Sequence, residues 1–93
     1  MIVINDAIVW ETINDDSVCL YNPINGLLFY LNSTSLFFLD KIIKGLSVRE
    51  IAQQYVLKNE FEMDSCILAE VEADFEELKM KMINNGILLK NGK

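Results

Sequence analysis

The stretch that decides the fold is Asn25-Gly26-Leu27-Leu28-Phe29-Tyr30-Leu31-Asn32. Its Asn-Gly pair supplies the positive φ angles that a tight hairpin turn needs, and five residues of strand composition follow. Apolar side chains occupy both faces of that strand, whereas an edge strand at the surface keeps one polar face. Asn32 can then cap a helix. The stretch predicts a hairpin strand that runs into a helix and is either covered on both sides or bound by another segment.

Two earlier runs also have the composition of strands. Residues 7–13 and 17–21 are rich in β-branched and aromatic side chains. Turn-forming residues fill positions 14–17 and 22–26. Three short strands joined by two short turns predict an antiparallel meander, with Leu27–Leu31 as its third strand.

The remainder of the chain has helical spacing. The first helix spans residues 35–44, with Asn32 or Ser33 as its cap and Gly45 at its end. Ser47 and Glu50 form a capping box that opens a second helix to about residue 57. The predicted fold class is therefore α+β, and the first two helices are joined by a short turn.

The third helix is the longest of the three. Asp64 is its predicted cap and Gly86 its predicted end, with a polar link at 58–62 before it and a short extended segment at 87–90 after it. Together these elements predict a three-stranded antiparallel sheet followed by three helices. The helix carries one apolar stripe, made of Ile67, Leu68, Val71, Phe75, Leu78 and Met82.

Length and composition exclude several classes of protein. The 93 residues fit one domain over 1–93, and 52% apolar residues exclude a disordered acidic tail. With no histidine, neither Ser-His-Asp nor Cys-His catalysis can occur within the chain. Cys19 and Cys66 are too few for a disulfide scaffold, and we expect both to be small buried side chains in a reducing compartment. The sequence shows no pattern of a secretory signal or of a membrane-spanning segment, which predicts a cytoplasmic protein. Since no metal-ligand or cofactor-binding motif occurs, we also expect neither a metal nor a cofactor.

Charge is distributed unevenly along the chain. Residues 60–77 hold eight acids and no base, and residues 78–93 hold four lysines and no acid, within a net charge of −6. The helix dipole accounts for part of this order. The rest is a negative surface on the third helix that favours a basic or mixed-charge partner and repels phosphates. The second and third helices in succession still leave a winged-helix DNA-binding regulator as an alternative function.

No group of residues has the pattern of an active site. Asp15 and Asp16 lie in a predicted turn, and Glu72 and Glu76 lie on one solvated helical face. The third strand is a better candidate for a binding site. A sheet edge has unpaired N–H and C=O groups to which an extended peptide can add as a further strand. Alternatively, residues 87–90 or a neighbouring chain cover that edge, and an apolar edge can also pair two copies as a homodimer.

The order of these motifs resembles the PqqD-like family, the leader-peptide-binding domains known as RiPP recognition elements, over about residues 8–89. The resemblance lies in residues 25–32, in the Gly-Leu-Ser-Val-Arg-Glu-Ile stretch at 45–51, and in a third-helix spacing. That spacing is formed by Asp74, Phe75, Leu78, Met82, Gly86, Ile87 and Leu88.

The resemblance implies a winged-helix-like fold and a function in binding. It implies a non-catalytic peptide chaperone that binds the leader of a ribosomally made precursor as an added strand. The chaperone presents that leader to a modifying enzyme, such as a radical SAM enzyme or a leader peptidase. The implied contacts with the leader peptide are Leu27, Leu28, Phe29, Tyr30, Leu31, Leu68, Glu72, Phe75 and Lys79.

Overall fold

A computed structural model describes residues 2–59 and 64–90. Five strands and three helices occur in these ranges, and the predicted α+β class is confirmed. In chain order they are β1 (Ile2–Ile4), β2 (Val9–Asn14), β3 (Ser17–Asn22), β4 (Leu27–Leu31), α1 (Ser33–Ile43), α2 (Val48–Lys58), α3 (Ser65–Asn84) and β5 (Leu88–Lys90).

The predicted meander is an antiparallel sheet in the order β2-β3-β4. β3 lies in the centre and pairs Leu20 with Phe29 of β4 and with Trp10 of β2. The register between β2 and β3 shifts after Thr12, just before the hairpin turn. This sheet confirms the three strands that alternation and turn residues predicted.

A second sheet joins the two ends of the described chain. β1 pairs antiparallel with β5, with Ile2 opposite Lys90 and Ile4 opposite Leu88. The alternative in which residues 87–90 cover the edge of β4 is therefore wrong, because the strand in that segment pairs with β1. Sequence reasoning missed β1, since three residues are too few for a strand pattern to be recognised.

The helices begin where their caps predicted. Asn32 Oδ1 accepts a hydrogen bond of 2.9 Å from the Ser35 backbone N–H, so Asn32 rather than Ser33 is the cap of α1. Both hydrogen bonds of the capping box at α2 are present, and Asp64 caps α3. α2 includes Lys58, which the sequence had assigned to the following link. Residues 60–62 of that link lie outside the described residues.

The core lies where the three helices meet the inner face of the larger sheet. Leu20 and Leu31 supply the sheet's part of it, and Ile87 and Leu88 close it from the C-terminal side. The helical side chains buried there are Phe38, Leu39 and Ile42 of α1, Val48, Ile51, Ala52 and Val56 of α2, and Phe75 and Met82 of α3.

The expected burial of both cysteines is wrong for Cys66, which is exposed, while Cys19 is half-buried. Cys66 lies in the first turn of α3, off the stripe that faces the core. No helix in the described residues is long and apolar enough to cross a membrane.

Candidate functional site

β4 lies at the edge of the larger sheet. β3 pairs with one of its sides, and within the described ranges no strand pairs with the other. Alternate backbone N–H and C=O groups of an edge strand point away from the sheet and can accept another strand. The predicted docking edge is therefore open.

The two apolar faces of β4 have different environments. On the inner face, Leu31 is 1% exposed and Phe29 packs against the core. On the opposite face, Leu28 is 56% exposed and Tyr30 is 67% exposed. The core thus explains one apolar face of the strand and leaves the other uncovered.

The exposed side chains of β4 continue across the sheet. The register places Val9, Tyr21 and Leu28 in one row, and Tyr30 lies opposite Cys19 in the next. Because β3 and β2 alternate in step with β4, these side chains share the face that points away from the core. This outer face is defined by four exposed apolar residues, Val9, Tyr21, Leu28 and Tyr30.

The sheet region carries acidic charge only. Residues 1–40 contain no lysine or arginine, and Lys41 is the first base of the chain. Glu11 lies in the row next to Val9, and Asp15 and Asp16 form the β2–β3 turn. The outer face is therefore apolar with an acidic border.

The end of α3 is attached to the turn that leads into β4. The side-chain amide nitrogens of Asn22 and Asn25 donate to the backbone carbonyl of Asn85 over 3.2 and 3.3 Å. Asn85 is the C-cap of α3, and Asn25 precedes β4 by two residues. The predicted neighbours, β4 and α3, therefore share one end.

Of the predicted contacts on α3, Phe75 and Leu68 take part in the core. Phe75 is 3% exposed and lies between the rings of Phe38 and Tyr55. Leu68 is half-buried against the same cluster. These two side chains pack α3 onto the core.

Glu72 and Lys79 lie on the flank of α3 that faces α2 and β1. They line a cleft together with Arg49 of α2 and Ile2 of β1. The Arg49 guanidinium lies 3.9 Å from the Glu72 carboxylate, and both groups are solvent-accessible. The structure thus brings Glu72 and Lys79 together with each other and with the start of α2.

The opposite flank of α3 is apolar and only partly covered. Val71 and Leu78 are half-buried, and Asp74 between them is exposed. At 100° per residue, Val71 and Leu78 lie about 100° around the helix from Glu72 and Lys79. Val71 and Leu78 both belong to the apolar stripe predicted from the sequence, and both pack against the core cluster, as predicted.

The chemistry available here is recognition of another chain. Within residues 2–59 and 64–90, no three Asp, Glu or Cys side chains come together as a metal site would require. The side chains at the β4 edge are apolar or phenolic. An open strand edge with apolar side chains suits main-chain pairing with an extended peptide.

Comparison with known proteins supports the fold. No family model matches the chain, and no curated protein matches it significantly. Two solved structures do. TbiB1 in complex with the TbiA(beta) leader peptide has a TM-score of 0.69 and 25% identity, over 98% of this chain and 96% of that one.

The second structure is a lasso peptide synthetase B1 complexed with the leader peptide. Its TM-score is 0.72 at 22% identity, over 96% of this chain and 98% of that one. The chain has the fold of these B1 proteins from end to end, which confirms the fold that the PqqD-like resemblance implied.

Proposed function

We propose that this chain binds the leader of a ribosomally made precursor peptide and presents it to a modifying enzyme. The observation that carries the proposal is the apolar edge of β4, to which no strand pairs within residues 2–59 and 64–90. The chain also has the fold of proteins solved with leader peptides. The leader adds to β4 as a fourth strand. The chain itself catalyses no reaction and acts by capture and delivery.

The backbone of Leu27–Leu31 supplies the pairing groups in this proposal. Each added main-chain hydrogen bond contributes about 0.5–1.5 kcal/mol net, and ordering a flexible leader costs about 2–5 kcal/mol. Affinity therefore depends on leader side chains that bury apolar area, at about 1.5–3 kcal/mol each. We expect a dissociation constant near the micromolar range, equivalent to about −8 kcal/mol.

On α3, the two flanks would contribute differently to leader binding. In this proposal the leader lies in a groove between the edge of β4 and α3. Val71 and Leu78 offer apolar area to that groove, whereas Glu72 and Lys79 offer charge from the α2 side. Leu68 and Phe75 hold the helix in place from the core. In this proposal the apolar flank sets the affinity, and the charged flank selects among leaders of different charge.

The outer face fits the enzyme that receives the leader. Val9, Tyr21, Leu28 and Tyr30 are exposed side by side, and only acids border them. A second copy of this acidic chain would place acids against acids. An enzyme surface with an apolar patch bordered by lysine or arginine is complementary to it. A leader peptidase or a radical SAM enzyme with such a surface would fill this role.

A regulator that binds DNA through α3 is the less favoured function. The exposed side of α3 carries Glu70, Asp74, Glu76 and Glu77, which would oppose the phosphate backbone. We expect no change in the anisotropy of labelled mixed-sequence duplex DNA at low salt.

Titration of a labelled peptide tests the leader-binding proposal. The probe is a fluorescein-labelled synthetic leader from the precursor encoded beside this chain, titrated by anisotropy. Wild-type protein should bind it. Tyr30→Pro should abolish binding, because proline removes a backbone donor from the strand.

Tyr30→Val is the matched control, since it keeps the backbone N–H and the strand propensity while removing the ring. It should bind within about tenfold of wild type, a loss of about 1.4 kcal/mol. Absence of wild-type binding would overturn the proposal. Equal binding by folded Tyr30→Pro would overturn strand addition as its mode.

A further inference from the structure

Two asparagine side chains link the β3–β4 turn to the end of α3. Each uses both ends of its amide group. Asn22 Oδ1 accepts from the Ile24 N–H and Asn25 Oδ1 accepts from the Leu27 N–H, both over 3.0 Å. Their Nδ2 atoms donate to the Asn85 carbonyl. The same two amides therefore shape the turn and attach it to α3.

Burial distinguishes Asn22 from a surface turn residue. It is 3% exposed, and it is the one buried polar residue in the described parts of the chain. A buried amide is retained only when its hydrogen bonds are made. Both the oxygen and the nitrogen of the Asn22 side-chain amide have hydrogen-bond partners, so the turn has little freedom to move relative to the helix.

The end of α3 is built to receive these amides. Asn85 bonds back to the Lys81 carbonyl through its backbone N–H over 3.0 Å and through Nδ2 over 2.7 Å. Gly86 follows with φ +74°, and a Cβ at this position would lie 2.7 Å from Asn22 Nδ2. Only glycine fits both the backbone angle and the close approach.

We propose that Asn22, Asn25 and Asn85, an asparagine latch closed against Gly86, position the leader-binding groove. This inference rests on the proposed function. The latch joins the turn before β4 to the end of α3, the two elements between which the proposed function places the leader. An added strand must lie about 4.8 Å from β4 and must place its side chains on α3 at the same time. The latch sets the separation that permits both.

Three variants and one control test the latch. The first two variants are Asn25→Asp and the double variant Asn22→Asp/Asn25→Asp. Each substitution keeps a side-chain oxygen that can accept the hydrogen bond within the turn, and it removes the side-chain N–H that donates to the Asn85 carbonyl. Gly86→Ala displaces Asn22. Asn14→Asp is the matched control, because Asn14 Oδ1 accepts from the Asp16 N–H in the other hairpin turn, at 2.9 Å. It adds the same single negative charge as Asn25→Asp, in a turn without this latch.

We expect the double variant to bind the fluorescein-labelled leader at least tenfold more weakly than wild type, and Asn14→Asp to stay within about twofold. Asn25 is exposed, so Asn25→Asp keeps a measurable folded state if the double variant does not fold. NMR distance contacts between residues 22 and 86, whose atoms lie close together in the latch, should weaken in the latch variants. A role limited to global stability would change the unfolding midpoint and leave both the affinity of the folded protein and these contacts unchanged.

The outcomes separate the latch from the function on which it rests. Failure of wild type to bind the leader overturns the proposed function. Wild-type binding, together with unchanged affinity and contacts in folded Asn25→Asp and Gly86→Ala, overturns the latch alone.

Discussion

The rings of Phe38 and Phe75 stack with their centroids 5.1 Å apart and their planes inclined by 22°. The ring of Tyr55 is nearly perpendicular to that of Phe75, with the centroids 5.4 Å apart. One aromatic side chain of α3 thereby joins α1 and α2 in the core. The resemblance assigned Phe75 to the leader site, but this packing leaves its ring 3% exposed.

Truncation of the Phe75 side chain should therefore lower the stability of the fold more than it lowers the affinity of the folded protein for the leader. Phe75→Ala should lower the free energy of unfolding by about 3–5 kcal/mol, because it removes a buried ring and leaves a cavity. Phe75→Leu fills more of the space and should cost less. Urea denaturation measures both. Direct contact between Phe75 and the leader would instead appear as a large loss of affinity in folded Phe75→Leu.

Polar substitutions on the outer face should weaken transfer of the precursor to its enzyme without weakening leader binding. Val9→Ser and Tyr21→Ser change exposed side chains on β2 and β3, away from the β4 edge. We expect leader affinity to stay within about threefold, while cleavage or modification of the precursor by its enzyme falls at least tenfold. Leu57→Ser is the control, because Leu57 is 64% exposed on α2. Equal enzyme activity in all three variants would contradict docking on the outer face.

The capping box of α2 should make stability depend on pH. The Ser47 backbone N–H donates to Glu50 Oε1 over 3.0 Å, and the Ser47 hydroxyl is a second hydrogen-bonding partner of this carboxylate. Both hold the pKa of Glu50 below its usual value of 4.5. A lowered pKa in the folded state stabilises the protein above pH 4.5, and this contribution is lost as the pH falls through the folded-state value.

Glu50→Gln keeps a capping side chain without the titration. Its unfolding midpoint should fall less than that of wild type between pH 6 and pH 3, as followed by circular dichroism in urea. An identical pH dependence in the two proteins would remove Glu50 as a source.

The local elements could be predicted because short-range chemistry specifies them. Asn32, Ser47 and Asp64 cap the three helices as their side chains predicted. Leu27–Leu31 forms the predicted strand with the predicted two apolar faces. By contrast, β1 was missed, and the burial expected for Cys66 was wrong. Both depend on contacts between distant parts of the chain.

In the candidate site, too, some features follow from neighbouring residues and others depend on contacts between distant parts of the chain. The sequence by itself determined an apolar strand after Asn25-Gly26 and an acidic third helix, because turn angles, strand alternation and charge are properties of neighbouring residues. Only the tertiary structure decided that β5 pairs with β1, so that no strand in the described part of the chain covers the edge of β4, and that Glu72 faces α2. Pairing and helix orientation depend on which distant surfaces bury the most apolar area together, and spacing along one chain does not contain that information.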